Sequence, residues 1–62
     1  MKSIFDYKLS DLNEYFISIN EKPFKAKQVF EWLYKKRVTS FDDMTNISKS
    51  LIEKLKEDFS IS

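Results

Sequence analysis

The stretch that decides the fold is residues 22–37, Lys-Pro-Phe-Lys-Ala-Lys-Gln-Val-Phe-Glu-Trp-Leu-Tyr-Lys-Lys-Arg. With successive residues placed about 100° apart, as in an α-helix, one stripe is apolar and consists of Ala26, Val29, Phe30 and Leu33. Pro23 suits the first position of a helix, where its missing N–H removes no helical hydrogen bond. The pattern therefore predicts an amphipathic helix over residues 23–36 whose apolar stripe faces a core.

The same stretch concentrates positive charge. It holds six of the eleven basic residues and a single acidic residue, Glu31. The flanks have the opposite balance, with two lysines and four carboxylates over residues 1–21 and three lysines and five carboxylates over residues 38–62. Such segregation favours contact with a polyanion, because lysines that neutralise phosphates release counterions. A solvated helix face explains the same composition and stays open as the alternative.

The bulk composition excludes several classes of protein. Sixty-two residues with 42% hydrophobic content form one small domain at most. The absence of cysteine and histidine removes disulfides, thiolate metal sites and the commonest general base, so an independent enzyme is disfavoured and we predict neither catalytic nor metal-binding residues. No apolar run approaches the length of a membrane span, which indicates a cytoplasmic protein without a membrane partner. We also expect a monomer.

The rest of the chain predicts further helices, in keeping with one proline and no glycine. Ser10 is the expected N-cap of a helix over residues 11–19 that ends at Asn20. Ser40 caps a short helix over residues 41–44, and Ser48 caps a last helix whose apolar face is Leu51, Ile52, Leu55 and Phe59. The phenylalanines expected in the core are Phe24, Phe30, Phe41 and Phe59. Residues 1–8 have no clear period, and whether they pack or fray is left open. The predicted fold is all-α, a small orthogonal bundle of three main helices plus one short helix.

The candidate binding residues lie on the basic helix. Those expected to contact phosphates are Lys25, Lys27, Lys35, Lys36 and Arg37. Gln28 and Trp32 are candidates for sugar or base contacts, since an aromatic ring can stack on an unpaired base. The alternative for Trp32, which a tryptophan in so small a domain favours, is that it packs at the edge of the core with its N–H directed to solvent or to a carbonyl.

Two blocks of residues resemble a known family. Residues 21–38 are similar to the pattern Glu-Lys-x-Phe-Arg-Ala-x-Gln-x-x-x-Trp-[Leu/Ile]-Tyr-x-[Lys/Arg], and residues 41–48 to Phe-[Asp/Glu]-x-Met-[Thr/Ser]-Asn-Leu-[Ser/Pro]. Both patterns are typical of the N-terminal region of the RlmN/Cfr family of radical-SAM methyltransferases. The form Met-Thr-Asn-Ile-Ser at residues 44–48 looks more like the RlmN branch, and the likeness runs from about residue 9 to residue 59.

The resemblance implies an accessory domain, similar to helix-hairpin-helix modules, ahead of a catalytic barrel that this chain lacks. Enzymes of the family methylate C2 of an adenosine in 23S rRNA and tRNA with a [4Fe-4S] cluster and S-adenosyl-L-methionine. Their cluster and catalytic cysteines have no counterpart in this chain, so no catalytic or cofactor-binding residue carries over. Helix-hairpin-helix modules also approach phosphate through a glycine-containing hairpin, which is missing here, so binding through a lysine face is preferred.

These observations predict that residues 1–62 form a single N-terminal accessory domain that docks 23S rRNA and tRNA onto its own catalytic domain. This hypothesis expects the ammonium groups to face one way and to be free of carboxylate partners. The main alternative is an intramolecular interaction module that positions the barrel without touching RNA, and an exposed apolar patch around Trp32 or Tyr34 would favour it. A DNA-reading helix-turn-helix is less consistent, because lysines suit phosphates better than base edges.

Overall fold

The computed structural model describes residues 2–62, and helices make up most of the structure there. The three α-helices are α1 (Leu9–Ser18), α2 (Phe24–Tyr34) and α3 (Lys49–Asp58). Single-turn 3-10 helices cover Ile4–Asp6 and Phe41–Asp43. Two short strands, β1 (Lys2–Ser3) and β2 (Phe59–Ser60), pair in parallel. The predicted helical class is confirmed, and the small sheet is an addition that the sequence did not indicate.

Helix α2 keeps its predicted core face. Ala26, Val29 and Leu33 are buried and Phe30 is partly buried. Pro23 has helical torsion angles (φ −59°, ψ −29°), so the predicted start at residue 23 agrees within the usual uncertainty of a helix end. Phe24 is 58% exposed, and its assignment to the core was wrong. The reason is geometric: Phe24 precedes Leu33 by nine positions, which places it on the opposite side of the helix.

Helix α1 begins two residues earlier than predicted. Its N-cap is Lys8 rather than Ser10, and the backbone N–H of Lys8 donates to the Asp11 carboxylate at 2.9 Å. Ser10 therefore lies inside the first turn, and the prediction that it caps the helix was wrong. The carboxylate at the third helical position satisfies a donor outside the helix, which moves the helix start towards the N-terminus.

The end of α1 is the predicted one. Asn20 adopts the left-handed conformation (φ 64°). The N–H of Glu21 donates to the carbonyl of Phe16 at 2.8 Å, and that of Asn20 donates to Ile17 at 3.1 Å. These two bonds are the Schellman arrangement, which satisfies the last carbonyls of a helix and reverses the chain.

The predicted caps in the second half of the chain are confirmed. The Ser40 hydroxyl accepts from the N–H of Asp42 at 3.2 Å, and the Ser48 hydroxyl accepts from Leu51 at 3.3 Å. Phe59 is buried as expected, but it belongs to β2 rather than to the helix, with φ −135° and ψ 160°. Helix α3 is therefore followed directly by strand β2.

Of residues 1–8, whose packing the sequence left open, residues 2–8 are part of the fold and residue 1 lies outside the described residues. Lys2 pairs with Phe59 and Ser3 with Ser60, and the Ser3 hydroxyl donates to the carbonyl of Ser62 at 2.9 Å. Ile4 is 1% exposed and joins a single core shared by all three helices. The other core residues are Leu12, Phe16, Ala26, Val29, Leu33, Phe41, Met44, Ile47, Leu51, Ile52, Leu55 and Phe59. Within residues 2–62, no helix has both the length and the apolar character needed to cross a membrane.

Candidate nucleic-acid interface

Two of the predicted phosphate-binding lysines form ion pairs with carboxylates. The Lys25 Nζ lies 3.1 Å from Glu21 Oε1, and the Lys35 Nζ lies 3.5 Å from Glu31 Oε2. The hydrogen bond from Lys25 lowers the pKa of the Glu21 carboxyl below its ordinary value. Glu31 and Lys35 have the i, i+4 spacing of neighbours on a helix, whereas Glu21 precedes α2 and reaches Lys25 in its first turn. At the surface such pairs contribute only about 0–1 kcal/mol. A phosphate can therefore compete for either ammonium group.

The remaining basic candidates point in different directions. Lys27 follows Lys25 by two positions and so lies on nearly the opposite side of α2. Arg37 lies beyond the helix in the left-handed conformation (φ 54°) and lines a groove with Phe5 and Tyr34. The basic side chains of residues 22–37 therefore do not form one continuous cationic face, contrary to the expectation of a single direction.

One cluster does combine predicted residues. The Trp32 Nε1–H donates to the Asn46 Oδ1 at 2.7 Å, and the Lys36 Nζ lies 5.3 Å from the centroid of the Trp32 ring. Together with Gln28 and Glu31, these side chains line a recess of about 70 Å³, which we call the tryptophan recess. A water occupies about 30 Å³ of liquid, so the recess admits a hydroxyl or a phosphate oxygen but not a nucleobase.

Two features position the side chains of the tryptophan recess: helical spacing, and a loop anchored in the core. Gln28 and Trp32 are four positions apart and share one side of α2. Lys36 lies two residues beyond the end of the helix, with its Nζ over the Trp32 ring. Asn46 arrives from the loop between the second 3-10 helix and α3. The loop is held on both sides of Asn46, because Met44 and Ile47 are buried in the core. The recess is thus a tertiary feature made by two segments of the chain.

The Trp32–Asn46 hydrogen bond sets the chemistry of the recess. An indole N–H can only donate, so Asn46 must accept with its oxygen and present its amide NH₂ as a donor. Lys36 adds an ammonium group, attracted to the ring face by about 0.5–1 kcal/mol at an exposed site. Trp32 is half-buried and packs against the core. This placement follows the core-edge alternative, and the carbonyl that accepts from the indole N–H is that of the Asn46 side-chain amide.

Asn46 is a site residue that was missing from the predicted binding set. It lies fourteen positions from Trp32, so neither helical periodicity nor charge links the two residues. The available signal was its place in the second family-like block, at residues 44–48. The predicted contacts of Gln28, Trp32 and Lys36 stay predictions, but the structure places these three side chains and Asn46 around one recess.

Metal-ligating side chains are the next feature of the described residues. Among residues 2–62, no group of three His, Cys, Asp or Glu side chains is arranged to hold a metal ion. The full sequence contains neither cysteine nor histidine. An iron–sulfur cluster needs cysteine thiolates, so the residues of this chain do not fit one.

The structure is thus a small helical domain with a polar recess on its surface. The family model described as the ribosomal RNA large subunit methyltransferase N-terminal domain matches residues 2–61. The chain therefore belongs to this family, and the resemblance drawn from residues 21–48 is confirmed.

Curated relatives match this chain over all or nearly all of its length. The chain is 55% identical over 62 residues to a probable dual-specificity RNA methyltransferase RlmN of Bacillus pumilus, covering 100% of this chain and 17% of the relative. It is 53% identical over 57 residues to the protein of the same description from Bacillus subtilis, covering 92% and 16%. The chain thus spans about one sixth of the length of the curated relatives it matches.

A solved structure shares the fold. A radical SAM methyltransferase from Sphaerobacter thermophilus superposes with a TM-score of 0.94 at 24% identity, over 100% of this chain and 18% of the other. At this identity the comparison establishes the arrangement of the helices, and the RNA-related names come from the closer relatives.

Proposed function

We propose that this domain docks structured RNA for an RlmN-like radical-SAM enzyme that methylates C2 of an adenosine in 23S rRNA and tRNA. Family membership and the names of the relatives support the choice of RNA as the partner. The observation that carries the proposal is the Trp32–Asn46 hydrogen bond, because it fixes an amide donor beside the ammonium group of Lys36. The domain acts in the cytoplasm, and residues outside this chain hold the [4Fe-4S] cluster and S-adenosyl-L-methionine.

In this proposal the tryptophan recess grips the sugar–phosphate backbone. Lys36 contacts a phosphate, while Gln28 and Asn46 donate to phosphate oxygens or to a ribose hydroxyl. Trp32 orients Lys36 and Asn46 and does not stack on a base. Its ring is not free for stacking, because Lys36 lies over it and because it packs against the core. Contacts of this kind position an RNA without reading its sequence, which suits a docking domain.

The remaining basic residues contribute unequally. Lys25 and Lys35 can exchange a carboxylate for a phosphate, because exposed ion pairs are weak. Lys27 and Arg37 lie away from the recess, and we assign them no contact in the docked complex. The expected binding is therefore weak and salt-dependent, with roughly two or three phosphates neutralised.

The test measures tRNA binding to the 62-residue chain by filter retention across a series of salt concentrations. We expect the logarithm of the affinity to fall linearly with the logarithm of salt concentration. Lys36→Gln should weaken binding roughly threefold to tenfold and reduce the salt slope by about 1, as loss of one phosphate contact does. Lys27→Gln removes the same charge from the same helix and should leave the slope unchanged. No binding at low salt, or equal slopes for the two variants, contradicts the proposal.

A further inference from the structure

A second surface of the domain is apolar and exposed. A groove of about 410 Å³ is lined mainly by Phe5, Leu33, Tyr34, Val38 and Ile61, with Arg37 as its charged member. We call it the aromatic groove. Phe5 is 39% exposed and Tyr34 is 44% exposed, so both rings present much of their surface to solvent.

Aromatic contacts make the groove a continuous surface. The Phe5 and Tyr34 rings meet edge to face with centroids 5.6 Å apart, and the Tyr34 and Phe30 rings lie 4.4 Å apart. Single exposed apolar residues are ordinary on soluble proteins, and Ile17, at 59% exposure, needs no further explanation. Three adjoining rings beside a groove are different, because contiguous apolar surface of this kind marks an interaction site.

The groove is separate from the tryptophan recess. Tyr34 follows Trp32 by two positions, so the two side chains leave α2 in nearly opposite directions. A partner in the aromatic groove and an RNA at the recess can therefore bind at the same time. The groove has one charged lining residue, Arg37, which favours a partner that brings a carboxylate next to its apolar side chains.

The course of the chain identifies the occupant. The family is defined as an N-terminal domain, and the relatives are about six times as long as this chain. Ile61, the last lining residue of the groove, lies at the end of residues 2–61, the part that the family model matches. The polypeptide of a longer family member therefore leaves this domain at the groove. A domain that follows in the same polypeptide is therefore tethered beside the exposed rings.

We propose that the aromatic groove docks the catalytic domain of the same polypeptide, through an apolar side chain flanked by a carboxylate that pairs with Arg37. The proposal goes beyond RNA docking and assigns the domain two opposite surfaces, one for the substrate RNA and one for the enzyme. It rests on family membership and on the position of Ile61, and it holds whether or not the tryptophan recess binds RNA.

Hydroxyl-radical footprinting tests the proposal without RNA. The 62-residue chain is compared with the full-length Bacillus pumilus relative carrying this chain in place of its own N-terminal region. We expect labelling of Phe5 and Tyr34 to fall at least threefold in the full-length protein, while labelling of Ile17 stays the same. Leu12, which is fully buried, reports whether the domain is folded in both proteins. The Bacillus subtilis relative serves as a second carrier.

Two variants of the full-length protein test whether Arg37 takes part in the docking. In the full-length protein, Arg37→Glu should restore labelling of Phe5, because it turns an attraction to a carboxylate into repulsion. Lys36→Gln, on the other side of α2, should not. Equal labelling of Phe5 and Tyr34 in the short and long proteins overturns the proposal. Protection that already exists in the 62-residue chain and grows with its concentration assigns the groove to a second copy and overturns it as well.

Discussion

At the scale of single residues, Tyr15 connects the first helix to the end of the third. Its hydroxyl donates to Asp58 Oδ2 at 2.6 Å, and its ring meets Phe59 edge to face at 4.9 Å. Burial, together with the hydrogen bond to the Asp58 carboxylate and its charge, raises the pKa of Tyr15 well above its ordinary value of 10.0. The contact therefore stabilises the folded state only while the phenol keeps its proton.

Tyr15→Phe isolates this hydrogen bond. Hydrogen bonds to charged groups contribute up to about 3 kcal/mol, but Asp58 is partly exposed and Lys54 lies 3.6 Å away, so we expect a loss of about 1 kcal/mol at neutral pH. Thermal unfolding followed by circular dichroism should show a midpoint lower by roughly 4–8 °C. Tyr7→Phe is the matched control, since Tyr7 also packs edge to face on Phe59. An equal drop for both variants would assign the effect to general packing.

The stability difference between wild type and Tyr15→Phe should also depend on pH, in a direction that the pKa shift of Tyr15 determines. Above pH 10.0 the unfolded Tyr15 ionises while the folded one stays protonated, so the folded state binds more protons. The contribution of Tyr15 is then complete below pH 10.0 and is lost as pH rises towards the folded-state pKa. The stability difference between wild type and Tyr15→Phe should therefore shrink in alkaline solution.

At the scale of elements, the helix caps show how well local sequence predicts where helices begin and end. Ser40, Ser48 and Asn20 were predicted from residue type and position alone, and each makes the predicted cap. Ser10 failed because a second local signal competed with it. The Asp11 carboxylate bonds the N–H of Lys8 with a charge-assisted bond, which is stronger than a hydroxyl cap.

Two serine substitutions test this difference. Ser48→Ala removes the hydroxyl that accepts from Leu51 and should cost about 1 kcal/mol in the free energy of unfolding. Ser10→Ala is the matched control inside the first turn of α1, where alanine is the better helix former, so the change should be neutral or slightly stabilising. Urea denaturation measures both. A loss at Ser10 as large as that at Ser48 would restore Ser10 as a cap.

The candidate binding surface was only partly predictable at this scale. The pairs Lys25–Glu21 and Lys35–Glu31 have i, i+4 spacing and were visible in the sequence, although they were not used to discount the two lysines. Asn46 was not visible in this way, because its contact with Trp32 depends on how a loop packs beside α2. Helical periodicity shows which residues share a side of one helix, and it carries no information on what the neighbouring segment supplies.

At the scale of the whole molecule, the two ends of the chain close the fold. Strands β1 and β2 are two residues long each, too short for any alternating pattern, and pairing across such a separation leaves no local signal. The helical class could be read from the sequence because amphipathic periodicity repeats over many residues. The sheet could not, and neither could the burial of Ile4 at 1% exposure.

Ile4→Ala tests the contribution of the N-terminal segment. Truncation of a buried isoleucine costs about 2–5 kcal/mol, a large share of the total stability of roughly 3–9 kcal/mol expected for a domain of this length. Ile17→Ala is the matched control, because Ile17 is 59% exposed and should change the free energy of unfolding by no more than about 0.5 kcal/mol. Denaturant unfolding gives both values. Similar effects at the two positions would mean that residues 2–6 are dispensable for folding.

The parallel pairing of β1 with β2 has a mechanical consequence. Lys2 lies beside Phe59 and Ser3 beside Ser60, so tension applied at residues 2 and 60 pulls the strands past each other along their length. All the hydrogen bonds between them are then loaded together in shear, instead of opening one at a time as they do in a peeled hairpin. A pull at residue 60 is therefore transmitted through the paired strands to residues 2 and 3, near the opposite end of the sequence.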